Sequence, residues 1–213
     1  MNIIKEACVE SLEQAIIAEE RKADRVELCS RLDLDGLTPN RLTIDRTIKS
    51  LSIPVKVMIR PKSGNFIYSN QDIIKMESEI EFCKEIGVSE VVFGMLNENS
   101  QIDIELTTAI ARKAAPMDIT FHKAIDHTAD IKTELDKLSD IKEITSILTS
   151  GGKDSALEGQ DMIKDMISQY SPRFNIISAG GITDINIDHL HSCIGGIEYH
   201  GKYIVGDLVS INE

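Results

Sequence analysis

The sequence predicts an α/β protein of one domain, residues 1–213, folded as a closed (β/α)8 barrel in which the last helix is absent or replaced. Three observations lead there. Eight short β-branched runs recur along the chain, and each of the first seven is followed by a stretch with a 3.6-residue apolar period. Crossovers of that length join parallel strands, since antiparallel hairpins do not need them. Eight strands within 213 residues match the TIM barrel, whose usual length is about 200–250 residues. The first strand–turn–helix carries no GxGxxG, which disfavours an open dinucleotide-binding sheet.

The expected strands occupy residues 3–9, 25–30, 54–61, 90–96, 117–124, 144–151, 175–181 and 196–203. Most are bounded by Gly, Pro, Asn or Asp. Ser11 and Gln14 form a capping-box pattern that opens the first helix. Ile73, Met76, Ile80 and Cys83 lie on one helical stripe, Ile131, Leu135 and Leu138 on a second, and Met162, Met166 and Tyr170 on a third. Asp184 after Thr183 is placed to open the seventh helix, which holds Leu190 and Ile194. Only Ile204–Glu213 follow the eighth strand. Their glycine and β-branched residues make a poor helix.

Composition narrows the partners. Lys and Arg total 23 against 35 Asp and Glu, a formal charge of −12, so the chain lacks the basic face that nucleic acid or an anionic membrane requires. No apolar run reaches the ~18 residues of a membrane span, and charges interrupt the N-terminus. The chain therefore reads as cytoplasmic. Its four cysteines, Cys8, Cys29, Cys83 and Cys193, contain no CxxC pair and are expected to be reduced.

Barrel chemistry gathers at the C-terminal ends of the strands. There the chain places Glu6, Cys8, Glu27, Cys29, Arg60, His122, Asp126, Glu198 and His200. Side chains two apart share a strand face, so Glu6 points with Cys8, Glu27 with Cys29, and Glu198 with His200. Buried charges are costly unless paired, so the cluster is either a salt-bridge network or a site. As a site, Glu6, Glu27 and His122 move protons, Asp126 orients His122, His200 faces them across the barrel, and Arg60 holds an anionic group. Lys56 shares the face of Arg60 but lies deeper. Two loops, Ser150-Gly151-Gly152 and Gly180-Gly181, open toward helices. Their amides suit an anion, and glycine is equally what a strand-to-helix turn requires. The anion-binding set is thus Arg60, Ser150, Gly151, Gly180 and Gly181. His127, His189, His191 and the remaining two cysteines read as loop, surface or packing residues.

Arg25-Val-Glu-Leu-Cys29, Gly36-Leu-Thr-Pro39, Met58-Ile-Arg-Pro61 with Gly64 and Phe66-Ile-Tyr68, Thr120-Phe-His-Lys-Ala-Ile-Asp126, Leu148-Thr-Ser-Gly151 and Ala179-Gly-Gly-Ile182 together resemble the CutC family of copper homeostasis proteins. The resemblance implies a TIM barrel, a cytoplasmic protein, and copper tolerance or Cu(I) binding with Cys8 and Cys29 as the metal ligands. It maps the family's strand-end polar residues onto Glu6, Glu27, Arg60, His122, Asp126 and His200. Lys62 and Lys123 stand where the family usually has Arg, and Asp35 and Ser63 where it has Gly. Family members commonly continue further past the eighth strand.

Two functions follow. One is copper homeostasis with Cu(I) as the bound ion, since two thiolates on neighbouring strands suit a soft cation. Against it, Glu6 and Glu27 are hard ligands expected to raise the pKa of a nearby thiol, and buried cysteines often only fill space. The other is an enzyme acting on a small anionic metabolite, phosphorylated ones included. A short tail in place of the eighth helix also predicts a homodimer that covers the flank between the first and seventh helices. The alternative is that Ile204, Leu208 and Ile211 point inward and cover it alone.

Overall fold

The computed structural model describes residues 3–209. Among these residues eight parallel strands alternate with seven α-helices. They are β1 (Ile4–Val9), α1 (Leu12–Glu20), β2 (Arg25–Leu28), α2 (Arg41–Ser50), β3 (Val55–Met58), α3 (Asn70–Glu85), β4 (Glu90–Phe93), α4 (Ile104–Ala114), β5 (Asp118–Phe121), α5 (Ile131–Leu138), β6 (Ile144–Thr149), α6 (Gln160–Tyr170), β7 (Asn175–Ser178), α7 (Ile187–Ile194) and β8 (Glu198–Gly201). Each strand pairs with the next, and β8 closes on β1, with Glu6 opposite His200. This is the TIM barrel the sequence predicts. The strands are shorter than the β-branched runs. Arg60 and His122, for example, lie beyond the ends of β3 and β5, because the chain turns outward into loops while its apolar residues stay buried.

Alternation sorts the strands into two faces. Val26 and Leu28, Val55 and Val57, and Ile119 and Phe121 point outward and join one core with Met76, Ile80, Cys83, Ile131, Leu135 and Leu138 of the helices. The inward face is different. Barrel interiors are commonly filled by branched apolar residues, and here only two small groups are apolar: Cys8, Cys29, Met58 and Val92, and Leu148, Ile177 and Ala179. Buried charged and polar residues take the remaining inward positions, Glu6, Glu27, Lys56, Thr120 and Ser146 among them.

Helix starts follow local chemistry with two adjustments. The Ser11 hydroxyl accepts from the Gln14 N–H as expected, but the Gln14 carboxamide accepts from the Glu10 N–H rather than that of Ser11. Asp184 does not open α7. Thr183 and Asn186 exchange hydrogen bonds, the Thr183 N–H with Asn186 Oδ1 at 2.8 Å and the Asn186 N–H with Thr183 Oγ1 at 3.3 Å.

No helix follows β8 among the described residues. After β8, Ile204, Val205 and Leu208 are buried in the outer core. Ile211 lies outside the described residues. None of the described helices is long and apolar enough to cross a membrane.

Candidate functional site

The lower interior of the barrel is an ion-pair network. Arg25, the first residue of β2, bridges Glu6 and Glu198. Lys56 on β3 reaches Glu6 at 3.2 Å and Glu90 at 2.7 Å, and donates to the Thr120 hydroxyl at 2.8 Å. His200 Nδ1 stands 2.7 Å from the other Glu6 oxygen. Burial pushes the Glu6 pKa upward, but Lys56, His200 and Arg25 together hold it well below the usual carboxylate range. Burial likewise opposes the charge of Lys56, and Glu6 and Glu90 overcome it and raise its pKa. Arg25 and Glu90 were not legible as network members from the sequence. Each is the first residue of its strand, far from the end where barrel chemistry gathers.

Above the network, β1, β2 and β8 bring together Cys8, Glu27, Cys29 and His200. Cys8 Sγ lies 3.8 Å from Cys29 Sγ and 3.7 Å from Glu27 Oε2, and His200 Nε2 lies 3.4 Å from the same carboxylate oxygen. The hydrogen bond from Cys29, resisted by burial and aided by His200, lowers the Cys8 thiol to about 5. That bond and burial push Cys29 well above the ordinary thiol range. The carboxylates do raise the thiols as expected, Glu6 at Cys8 and both Glu27 and Glu6 at Cys29, but at Cys8 the Cys29 hydrogen bond and His200 outweigh that effect. Burial, only partly offset by His200, raises Glu27 to about 8. His200 is raised despite burial by Glu27, Cys8 and Glu6. One ligand atom each from Cys8, Glu27 and His200 lies within 4.8 Å of the others, and this donor set fits a metal ion.

The opposite wall carries Arg60 and His122. The Arg60 guanidinium is not the open anion clamp expected. Its Nη1 donates to the carbonyls of Leu34, Asp35 and Gly36 at 2.9–3.1 Å, and its Nη2 to Gly64 at 3.0 Å, so it pins two loops. Only its Nε lacks a partner. His122 is fully enclosed, with Nδ1 accepting from the Ala124 N–H at 3.2 Å and Nε2 unpartnered. Gly94 makes room for it, since a Cβ there would stand 2.6 Å from Nδ1. Burial, and then the Arg60 charge, lower the imidazole to about 3.

Asp126 does not orient His122. Its carboxylate accepts from the Thr149 hydroxyl, from the Ser150 N–H at 2.8 Å and from the Gly152 N–H at 2.9 Å. The Gly151 N–H donates to Thr149 Oγ1 at 2.9 Å. The β6 loop is thus filled by a carboxylate of the chain itself, and Ser150 and Gly151 offer no free amide to an external anion. Gly151, at φ +69°, also packs where a Cβ would lie 2.4 Å from the Gly159 carbonyl, which is a turn requirement. The β7 loop differs. The Gly180 and Gly181 carbonyls accept from Ala156 and Asn186, and among the described residues their N–H groups have no partner.

A cavity of about 370 Å³ joins the two walls, lined by Cys8, Glu27, Cys29, Arg60, His122, Gly180, Gly181 and His200 together with Phe66, Lys123, His127 and Lys202. The last four were not expected here. Lys123 and His127 lie in the 3₁₀ turn directly after β5, and that proximity to a strand end was the available signal. The Phe66 ring sits 4.9 Å from the His122 ring and 4.9 Å from Arg60 Cζ. Elsewhere, Cys83 is buried as expected. Cys193 is only half-buried, with Sγ 3.8 Å from His189 Nε2, and His191 Nδ1 meets the Tyr199 hydroxyl at 3.0 Å.

The family model described as "CutC family" matches residues 3–205. A human protein named copper homeostasis protein cutC homolog is 40% identical over 197 residues, covering 92% of this chain and 72% of that protein. A CutC family protein of Pasteurella multocida is 36% identical over 195 residues, covering 92% of this chain and 80% of the relative. The crystal structure of a CutC protein from Streptococcus agalactiae superposes with a TM-score of 0.90 at 30% identity, covering 95% of this chain and 99% of that one.

Proposed function

The chain belongs to the CutC family of copper homeostasis proteins, and from that footing we propose that it binds Cu(I) through Cys8 and Cys29. The observation that carries this is the 3.8 Å separation of the two sulfurs on the wall of the cavity. Metal–thiolate bonds run about 2.3 Å in zinc sites, so one ion can touch both sulfurs. The lowered Cys8 thiol supplies a thiolate at neutral pH, the form that binds metal. Soft sulfur donors favour Cu(I), and His200 is an imidazole within reach of the same ion. The hard carboxylate of Glu27 is then a neighbour, 3.4 Å from His200 Nε2. The proposal places the protein in the cytoplasm, where thiols stay reduced.

Competition with a chromophoric Cu(I) chelator tests it. Cys8→Ser and Cys29→Ser should each weaken Cu(I) binding by more than about 100-fold. Cys83→Ser, buried in the outer core, should leave it unchanged. Equal affinity in all three variants overturns the proposal.

A second reading has its own observation. Small-molecule pockets occupy about 300–1,000 Å³ and carry a few placed polar groups. This cavity falls in that range, and His122, whose buried Nε2 has no partner within the protein, is among the residues that line it. That arrangement supports an enzyme or sensor acting on a small anionic metabolite, with Lys123 and Lys202 supplying positive charge at the cavity.

A further inference from the structure

We infer that Cys8, Glu27 and His200 bind a zinc ion whose fourth position is left to water or to a ligand in the cavity. The site shares Cys8 with the Cu(I) reading but does not rest on it.

Three neighbouring strands bring the donors together. Cys8 on β1 stands opposite Glu27 on β2, and β8 sets His200 beside β1. Cys8 Sγ is 3.7 Å from Glu27 Oε2, and His200 Nε2 is 3.4 Å from the same oxygen. One donor atom from each residue lies within 4.8 Å of the others. Zinc, with bonds of about 2.3 Å to sulfur and about 2.0 Å to nitrogen and oxygen, holds tetrahedral ligands about 3.3–3.6 Å apart. The donors therefore already stand close to the spacing that one zinc ion requires. All three residues line the cavity, and the His200 side chain is 12% exposed, which gives an ion access.

Two further observations point to a cation. His200 Nδ1 lies 2.7 Å from Glu6 Oε1, an arrangement in which Nδ1–H donates to the carboxylate and the Nε2 lone pair faces Glu27 and Cys8. Metal-bound histidines are commonly held in this way by an outer carboxylate. The other Glu27 oxygen, Oε1, is buried and has no partner among the described residues. An imidazole lone pair, a sulfur and a carboxylate thus converge, and a cation between them satisfies all three.

The donor set selects the ion. One thiolate, one imidazole and one carboxylate are the mixed sulfur, nitrogen and oxygen ligands of zinc. Calcium and magnesium take oxygen ligands, and Cu(I) prefers soft sulfur to a hard carboxylate. A thiolate and a carboxylate together balance a divalent charge, in a site where uncompensated charge is costly. The Cys8 proton passes to solvent on binding. The Cys29 sulfur lies 3.8 Å from Cys8 but outside the triad. Three protein ligands with an open fourth position are the arrangement of catalytic rather than structural zinc sites.

The test uses the full chain, stripped with a chelator and kept reduced, with zinc and cobalt(II) as probes. Competition with a chromophoric zinc chelator should give one zinc per chain. Cys8→Ser, Glu27→Gln and His200→Ala should each weaken zinc binding by more than about 100-fold, beyond the loss of an outer partner. Cys29→Ser, which removes a proposed Cu(I) ligand, should keep most of it. Cobalt(II) should show sulfur-to-metal charge transfer and the intense visible bands of a tetrahedral ion, and added azide should shift those bands by taking the open position. Weak octahedral bands without charge transfer in the unmodified protein overturn the inference even if the variants misfold. Bands unmoved by azide overturn the open position. Equal zinc loss in Cys8→Ser and Cys29→Ser overturns the triad, since the ion would then sit on the sulfur pair. If Cys29→Ser keeps full Cu(I) affinity while zinc behaves as expected, the copper reading fails and the zinc site stands.

Discussion

At the lower end of the barrel interior Arg25 meets Glu6 and Glu198, and Lys56 meets Glu6 and Glu90. At the upper end Glu27 Oε1, Arg60 Nε and His122 Nε2 are equally buried and have no partner. Both ends are rich in charge, and a sequence reading sees one inward cluster. The difference is satisfaction. Donors and acceptors that complete one another stabilise the barrel, whereas groups left incomplete in a cavity point to something that arrives from outside. A network and a site are therefore both present, one above the other, with Glu6 and His200 at the join.

The largest effect that could break this comparison lies in the network. Lys56→Met should cost about 3 kcal/mol or more in a urea melt, since breaking a buried pair leaves Glu90 and part of Glu6 uncompensated. A loss below about 1 kcal/mol would mean the lower charges do not stabilise the fold.

His122 sharpens it through pH. Its folded pKa of about 3 lies below the ordinary value of 6.5, so between the two the unfolded chain binds a proton that the folded chain refuses. Stability is then full above pH 6.5 and falls as pH drops toward 3, by up to about 1.4 kcal/mol per pH unit. The charge of Arg60 and the neighbouring His127 act in the same direction as burial. Urea melts across this range should show a shallower acid slope in His122→Gln. An unchanged slope would mean that the imidazole is not held neutral.

A smaller effect is expected at Glu27. Glu27→Gln should leave the melting temperature nearly unchanged or raise it, because functional groups are commonly placed at the expense of stability. A loss of several kcal/mol in a chemical melt would move Glu27 into the network. The least effect on the interior comes from assembly. We expect a dimer mass by light scattering coupled to size exclusion, with the flank between α1 and α7 buried. A monomer mass at micromolar concentration would mean that the tail, with Ile204 and Leu208 already packed inward, covers the flank alone.

Legibility followed the same division. The alternation of apolar runs and helical stripes marked all eight strands, and period-two alternation placed Glu6 with Cys8 and Glu27 with Cys29 on the inner face. The roles assigned to Arg60 and Asp126 were misread for a common reason. Each was taken by its charge alone, as an anion holder and as an orienting base, and each is engaged by loop backbone that is distant in sequence. Asp126 meets a loop 23–26 residues on, and Arg60 meets carbonyls 24–26 residues back. No local pattern encodes such partners.

By itself the sequence determined which residues face the barrel interior, because the direction of a side chain along a strand is set by local backbone geometry. It also determined that residues 202–209, which hold a glycine and β-branched side chains, form no helix after β8, since propensity is local too. Which inward groups satisfy one another was decided only by the tertiary structure. Closure of the barrel sets β8 beside β1 and brings His200 onto Glu6 across 194 residues of chain. The stagger of the strands sets Lys56 between Glu6 and Glu90 and leaves His122 Nε2 without a partner. Hydrogen bonds and ion pairs act over a few ångströms, so the separation of network from site exists only once distant strands have been brought to those distances.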